Sequence, residues 1–278
     1  MPESDISREK TRYNDDLALA HMLADAADNV SWARFGAQDL HISTKPDATP
    51  VTDADTAVET TIRGILSRAR PRDAVIGEEY GGVESMAEHT GRVWVVDPID
   101  GTANFLRGVP IWATLIALLD RGRPMLGLVS APGLSRRWWG AVGSGAFAGR
   151  RAGKGTQIRV SDVTMLSDAS LCYASPHSWS DVGRGAEFSR LTKRVWRERG
   201  YGDFYGHVLV AEGAVDVMIE PELSLWDSAA LIPIVSEAGG RCTDLDNEAF
   251  RHGSSLITTN GRLHDAVTEA LAVSSDSE

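Results

Sequence analysis

At 278 residues, 42% apolar and 24% charged, the chain is long enough for one large domain or two closely packed ones with a sizeable core, and no run approaches the ~18–20 apolar residues of a membrane span. Its net charge of −11 argues against nucleic acid, whose affinity needs a surplus of lysine and arginine. An anionic substrate would have to be met by bound cations or a local set of donors. The two cysteines, Cys172 and Cys242, show no C-x-x-C spacing and read as free buried thiols, not as a zinc knuckle or disulfide framework.

Residues 1–12 read as a polar arm without the pattern of a secretory signal, which places the protein in the cytoplasm. Leu19, Met22, Ala26, Val30 and Ala33 recur at helical spacing and predict a long amphipathic helix over about 15–37. A second helix, about 53–68, opens at Thr52-Asp53 and carries Ala54, Ala57, Val58, Ile62, Ile65 and Leu66 on one side. Short β-like runs follow at 74–76, 93–96, 112–119, 126–129 and 137–142, the last holding an Arg136-Arg137-Trp138-Trp139 run that reads as a strand with a packed tryptophan face. Past a glycine- and arginine-rich turn at 150–155, strands near 170–175, 215–219 and 256–259 alternate with helices near 184–198, 204–213, 227–238 and 262–271. The tail from Ser274 reads as disordered. The fold class is therefore α/β in the broad sense, with an α+β front half, 1–150, and an α/β back half, 151–278, stacked as layers of helix and sheet.

Acids stand where these elements begin and end. The strand Val93-Trp94-Val95-Val96 runs straight into Asp97-Pro98-Ile99-Asp100-Gly101-Thr102. Two carboxylates at a partly buried strand end repel each other and lose hydration, and a cation relieves both costs. Gly101-Thr102 offers backbone N–H groups at a helix start, where a phosphate could sit. The same residues also suit a plain Asx turn or helix cap. Strand 74–76 ends in Glu78-Glu79, which alone would be a solvated turn. Asp227, in Leu225-Trp226-Asp227-Ser228, opens a helix apolar on most sides and so faces the interior, although it is also an ordinary N-cap. Thr52-Asp53 fits an ordinary capping sequence as well. Taken together, hard oxygen ligands without histidine or cysteine select magnesium, manganese or calcium over zinc. Among the seven histidines no HExxH pair occurs, and His207 and His252 read as structural or surface residues.

In this order, D-P-I-D-G-T-x-N-F at 97–105, W-D-x-A-A at 226–230, G-E-E at 77–79, Thr52-Asp53 and Thr259-Asn260-Gly261 resemble the inositol monophosphatase family of the fructose-1,6-bisphosphatase-like superfamily, over about residues 13–272. The resemblance implies a layered αβαβα sandwich, a magnesium-dependent phosphate monoester hydrolase in which manganese can substitute, and a homodimer. It implies that Glu78, Asp97 and the Ile99 carbonyl ligate one magnesium, and that Asp97, Asp100 and Asp227 hold a second. Glu79 stands as an outer group. Thr102 and Asp53 match the pair that orients and deprotonates the attacking water, and the Gly101 and Thr102 amides would hold phosphate. The elementary chemistry agrees, since a phosphate dianion repels hydroxide unless cations neutralise it and make bound water acidic. No G-x-S-x-G elbow or reactive-cysteine loop signals a covalent route.

Two further acids bear on the substrate. Glu220, seven residues before Asp227, matches a family position that touches the substrate's alcohol portion, and Asp203 stands where inositol-specific members resemble Gly-Thr-Ala. Two acids facing the leaving group suit a cationic alcohol better than a neutral polyol. With Asn104 to Trp112 and the Arg136–Trp139 run, this looks like the family's histidinol-phosphate phosphatases, especially actinobacterial ones. An inositol-1-phosphatase or a broad sugar-phosphate phosphatase is the alternative, and a non-catalytic role in protein or RNA contacts is the alternative of a different class.

Overall fold

The computed structural model describes residues 13–44, 50–83, 91–150 and 155–272. The polar arm at 1–12, the tail at 274–278 and positions 151–154 of the turn expected at the half boundary lie outside the described residues.

Helix α1, Asn14–Arg34, is the first predicted helix with its buried face rotated. Leu19, Ala20, Leu23, Ala24, Ala27 and Ser31 are buried, whereas Met22 is 61% exposed. The alanines explain this, because small side chains let the helix axis approach its support closely and so define the contact stripe. Strands β1, Ile42–Thr44, and β2, Pro50–Thr52, form a small antiparallel pair that delivers the chain to helix α2, Asp53–Ala69. Here the predicted face holds at Ala54, Val58, Ile62 and Leu66, which are buried, while Ile65 is half-buried and Ala57 is exposed at the edge of the stripe.

Strands β3 (Ala74–Gly77), β4 (Arg92–Asp100), β5 (Ala113–Asp120), β6 (Arg123–Ala131), β7 (Arg136–Ala141), β8 (Gly145–Gly149) and β9 (Thr156–Gln157) make a seven-stranded sheet in sequence order. Only β3 and β4 pair in parallel; the rest are antiparallel. Alternation along β4 sends Trp94 and Val96 to a core under α1 and α2, and Val93 and Val95 to a core on the other face. The same alternation corrects the single tryptophan face expected for β7: Trp138 lies in one core and Trp139 in the other.

The second core is closed by helices α6 (Asp203–Ala211), α7 (Leu225–Ser228) and α8 (Leu231–Glu237). Beyond them lies a five-stranded sheet in the order β11-β10-β12-β14-β13, built from β10 (Ser170–Tyr173), β11 (Arg197–Arg199), β12 (Val217–Glu220), β13 (Arg241–Thr243) and β14 (Leu256–Thr259). Its outer face carries α4 (Pro176–Asp181), α5 (Gly185–Thr192) and α9 (His264–Leu271) over a core that includes Trp179, Phe188 and Leu191. The layers run helix, sheet, helix, sheet, helix, the αβαβα order that the family resemblance implies. Among the described residues no helix is long and apolar enough to cross a membrane.

Two predicted helices are shorter than expected. The one placed at 184–198 stops at Thr192, and Arg197-Glu198-Arg199 is instead an edge strand beside β10. An edge strand needs no apolar alternation, so its charged residues gave no strand signal. The helix at 227–238 is broken after Ser228 and resumes at Leu231. The small strands β8 and β13 also escaped prediction, being short and, in β8, mostly glycine and alanine.

Candidate metal centre and active site

Asp97 and Asp100 are three residues apart, so a regular strand would aim them at opposite faces. The pairing of β4 with β5 is irregular between them. Pro98 lacks the N–H that a regular ladder would use, and its carbonyl accepts a 2.8 Å hydrogen bond from the Thr114 hydroxyl. This break brings both carboxylates to one side, where Asp227 at the start of α7 joins them: ligand atoms of Asp97, Asp100 and Asp227 lie within 4.8 Å of one another. The Ser224 amide donates to Asp227 Oδ2 at 2.8 Å, and the Phe204 amide donates to Asp100 Oδ2 at 2.7 Å.

Gly101 follows with φ +83°, and a Cβ there would meet the Ile111 carbonyl at 3.1 Å and Asp203 Oδ2 at 3.3 Å. Both the left-handed backbone and the close approach require glycine. Helix α3, Thr102–Leu106, starts immediately after it. Phe105, Trp112, Ile99 and Ala54 pack into a small core beneath this turn and hold it against α2.

Asp97 is buried, and its Oδ1 has no hydrogen-bond partner. Burial drives it well above the ordinary carboxylate range, with the charges of Glu78, Asp100, Asp227 and Asp55 adding to the effect. Asp100 is raised in the same way by burial and by Asp203 and Asp227, and Asp227 is pushed up to about 8 by burial, Glu78, Glu220 and Asp203. Among the described residues none of Asp97, Asp100 and Asp227 pairs with an arginine or lysine. Crowded, buried oxygen donors of this kind, one of them orphaned, fit a hard divalent cation. Glu78 stands just beyond the tight group, at the end of β3, close enough for its charge to act on Asp97, Asp55 and Asp227. Glu79 is half-buried, and its amide donates to Glu59 Oε2 at 2.8 Å.

The structure corrects the expectation for Asp53. Its carboxylate points outward and pairs with Arg34 at 2.8 Å, 42% exposed. Asp55 turns inward. Thr52 and Asp55 form the capping box of α2: the Thr52 amide and hydroxyl reach Asp55 Oδ2 at 2.8 and 2.6 Å. The third helical residue of such a box folds back over the helix start, while the first points away. Asp55 Oδ1 thereby comes to 3.4 Å from the Thr102 hydroxyl, which also lies 3.0 Å from the Ile99 carbonyl. Burial, followed by the charge of Glu78, raises Asp55 above its ordinary value.

The charges of Asp203 and Glu220 act on both Asp100 and Asp227. Asp203, at φ +48°, accepts from the Asn104 side-chain amide at 3.1 Å and is pushed up to about 6 by burial and by Glu220. Glu220 ends β12, is buried, and rises to about 8. Sequence reasoning missed the buried Glu59, whose carboxylate lies so close to Gly77 that a Cβ there would fall 2.0 Å from Oε1. It also missed that His207 is fully buried against Glu220.

Comparison with known proteins bears on this arrangement. The model of the inositol monophosphatase family matches residues 14–275. A histidinol-phosphatase of Mycobacterium tuberculosis is 55% identical over 258 residues, which cover 93% of this chain and 98% of that protein. A histidinol-phosphatase of Streptomyces coelicolor is 54% identical over 257 residues, 91% of this chain and 95% of that one. The crystal structure of extragenic suppressor protein suhB from Bartonella henselae superposes with a TM-score of 0.82 at 30% identity, covering 93% of this chain and 98% of its own.

Proposed function

The chain belongs to the inositol monophosphatase family, and on that premise we propose that it is a metal-dependent phosphate monoester hydrolase whose substrate is histidinol phosphate. The observation that carries the hydrolytic reading is the orphaned Oδ1 of Asp97 within the Asp97–Asp100–Asp227 cluster. In this reading Asp97, Asp100, Asp227, Glu78 and the Ile99 carbonyl hold magnesium. Bound there, the cation neutralises the phosphate dianion and lowers the pKa of water. Phosphate rests against the amides of Gly101 and Thr102. The attacking water lies at Thr102, whose hydroxyl proton can turn from the Ile99 carbonyl to Asp55 Oδ1. Through the Thr102 hydroxyl, Asp55 would accept the proton that the water gives up as its oxygen bonds to phosphorus, while the ester P–O bond breaks, its electron pair leaving with the alcohol oxygen, which is protonated from solvent. A raised pKa suits that task, since a base works best near the ambient pH.

Histidinol carries an ammonium and an imidazole, and both can donate to Asp203 and Glu220. Each charge-assisted contact contributes on the order of 1–3 kcal/mol. The ratio of kcat/KM for histidinol phosphate to that for glycerol 2-phosphate should therefore fall roughly 5- to 150-fold in Asp203→Asn and in Glu220→Gln. Steady-state kinetics on a panel of phosphate monoesters, with and without EDTA, is the test. A wild-type preference for inositol 1-phosphate, or an unchanged ratio in both variants, would transfer the assignment to the inositol-1-phosphatase reading.

The assembly we propose is a two-fold homodimer, the commonest closed form for soluble enzymes. Light scattering across micromolar concentrations should return twice the 30.0 kDa chain mass; a monomer throughout that range would reject it.

A further inference from the structure

His207 is read from the sequence as a structural residue, yet its surroundings give it a specific task. It lies on α6 one turn beyond Asp203, so the two share a helix face. The ring is fully buried. Nε2 lies 3.0 Å from Glu220 Oε2 at the end of β12, and Nδ1 lies 2.8 Å from the Thr258 hydroxyl on β14. Cys242 Sγ lies 3.6 Å from the same hydroxyl. Burial holds the imidazole neutral, pushing it down to about 3, so it carries one N–H. Glu220, raised to about 8 by burial, is ionised above that pH or when it faces a cationic ligand, and the ionised carboxylate can only accept, which assigns that N–H to Nε2. Nδ1 then accepts from the Thr258 O–H, and the Cys242 thiol can donate to the Thr258 oxygen. The hydrogen bonds of the chain Cys242–Thr258–His207–Glu220 then all run in one direction and end on Glu220 Oε2.

We propose that His207 is a positioning residue for substrate selection: by committing Glu220 Oε2, it aims Glu220 Oε1 at the cationic end of the alcohol being released. Oε1 has no hydrogen-bond partner among the described residues. Without the clamp, Glu220 could turn toward Asp100 and Asp227, on which its charge already acts. Shielded from solvent, His207 acts through Glu220 and not on the substrate itself. This assignment rests on the proposed preference for a cationic substrate.

The test compares two isosteres in the magnesium-loaded enzyme. In His207→Gln the side-chain amide nitrogen stands near the place of Nε2 and keeps the donor to Glu220; in His207→Asn the amide oxygen can take the place of Nδ1 as the acceptor from the Thr258 hydroxyl, and the donor to Glu220 is lost. The histidinol-phosphate to glycerol 2-phosphate ratio of kcat/KM should fall at least ~5-fold in His207→Asn, mainly through KM, and stay within about 2-fold of wild type in His207→Gln. Adding His207→Asn to Glu220→Gln should lower the ratio no further. Nitrogen NMR of the wild-type imidazole above pH 8, where Glu220 is ionised, should show the proton on Nε2, a readout that needs no turnover and decides the matter if His207→Asn does not fold. A proton on Nδ1, equal losses on both substrates, or an unchanged ratio in folded His207→Asn while Glu220→Gln lowers it, would overturn the role of His207 alone. An unchanged ratio in Glu220→Gln would instead overturn the substrate reading on which it rests.

Discussion

Asp97→Asn should lower turnover at saturating magnesium by about 10³-fold or more, equivalent to ~4 kcal/mol, while the protein stays folded. Asp97 is the most deeply embedded member of the carboxylate cluster, and its orphaned oxygen has no other evident use. The same crowding predicts the behaviour of the metal-free protein. Asp227 and Glu220, both pushed up to about 8, keep their protons in the folded state at pH values where the unfolded chain has released them. Between about pH 4 and pH 8 the unfolded state binds fewer protons, so stability falls as pH rises through that window. In EDTA, Tm should therefore decline from pH 5 to pH 8, and magnesium should reverse most of the decline at the upper end. Asp97→Asn, with one repelling charge fewer, should match or exceed the wild-type metal-free Tm at pH 8. Full activity of this variant, full wild-type activity in excess EDTA, or a metal-free Tm that rises toward pH 8 would defeat the metal-centre reading.

Why Asp97, Asp100 and Asp227 were legible while other site residues were not is a matter of how far each signal reaches along the chain. An apolar strand that runs into Asp-Pro-x-Asp announces a buried break in a ladder, and a helix apolar on most sides announces that its first acid faces inward. Both signals are local. Glu59 and His207 give no such sign, because their partners are far away in sequence: Glu79 stands 20 residues beyond Glu59, and Thr258 stands 51 beyond His207. Each looks like an ordinary polar position on its helix until the sheets assemble. The layers were legible because apolar periodicity marks buried faces. The charged edge strand β11 and the alanine- and glycine-rich β8 were not, since neither needs an apolar stripe. Asp55 is the intermediate case. The Thr52-x-x-Asp55 spacing of a capping box was present in the sequence, but Asp53 stands next to the cap and drew the assignment.

That distinction carries a second large effect. Asp55→Asn should lower kcat roughly 10²- to 10⁴-fold, the range of a positioned general base, with little change in KM. Asp53→Asn should stay within about 2-fold of wild type, because it removes only a half-exposed ion pair with Arg34 worth about 0–1 kcal/mol. The pH profile separates loss of a base from loss of a helix cap. With Asp55 raised above its ordinary value by burial, protonation removes the acceptor, so wild-type kcat should fall on the acid side through the Asp55 pKa. That limb should vanish in Asp55→Asn and persist in Asp53→Asn. The asparagine can still accept from the Thr52 amide through its carbonyl, so the stability loss should stay near the ~0.5–2 kcal/mol of a weakened cap, too small to unfold the enzyme at the assay temperature. If Asp53→Asn proved the inactive variant, or Asp55→Asn kept both its rate and its acid limb, the water-activating pair would have to be sought elsewhere than at Thr102 and Asp55.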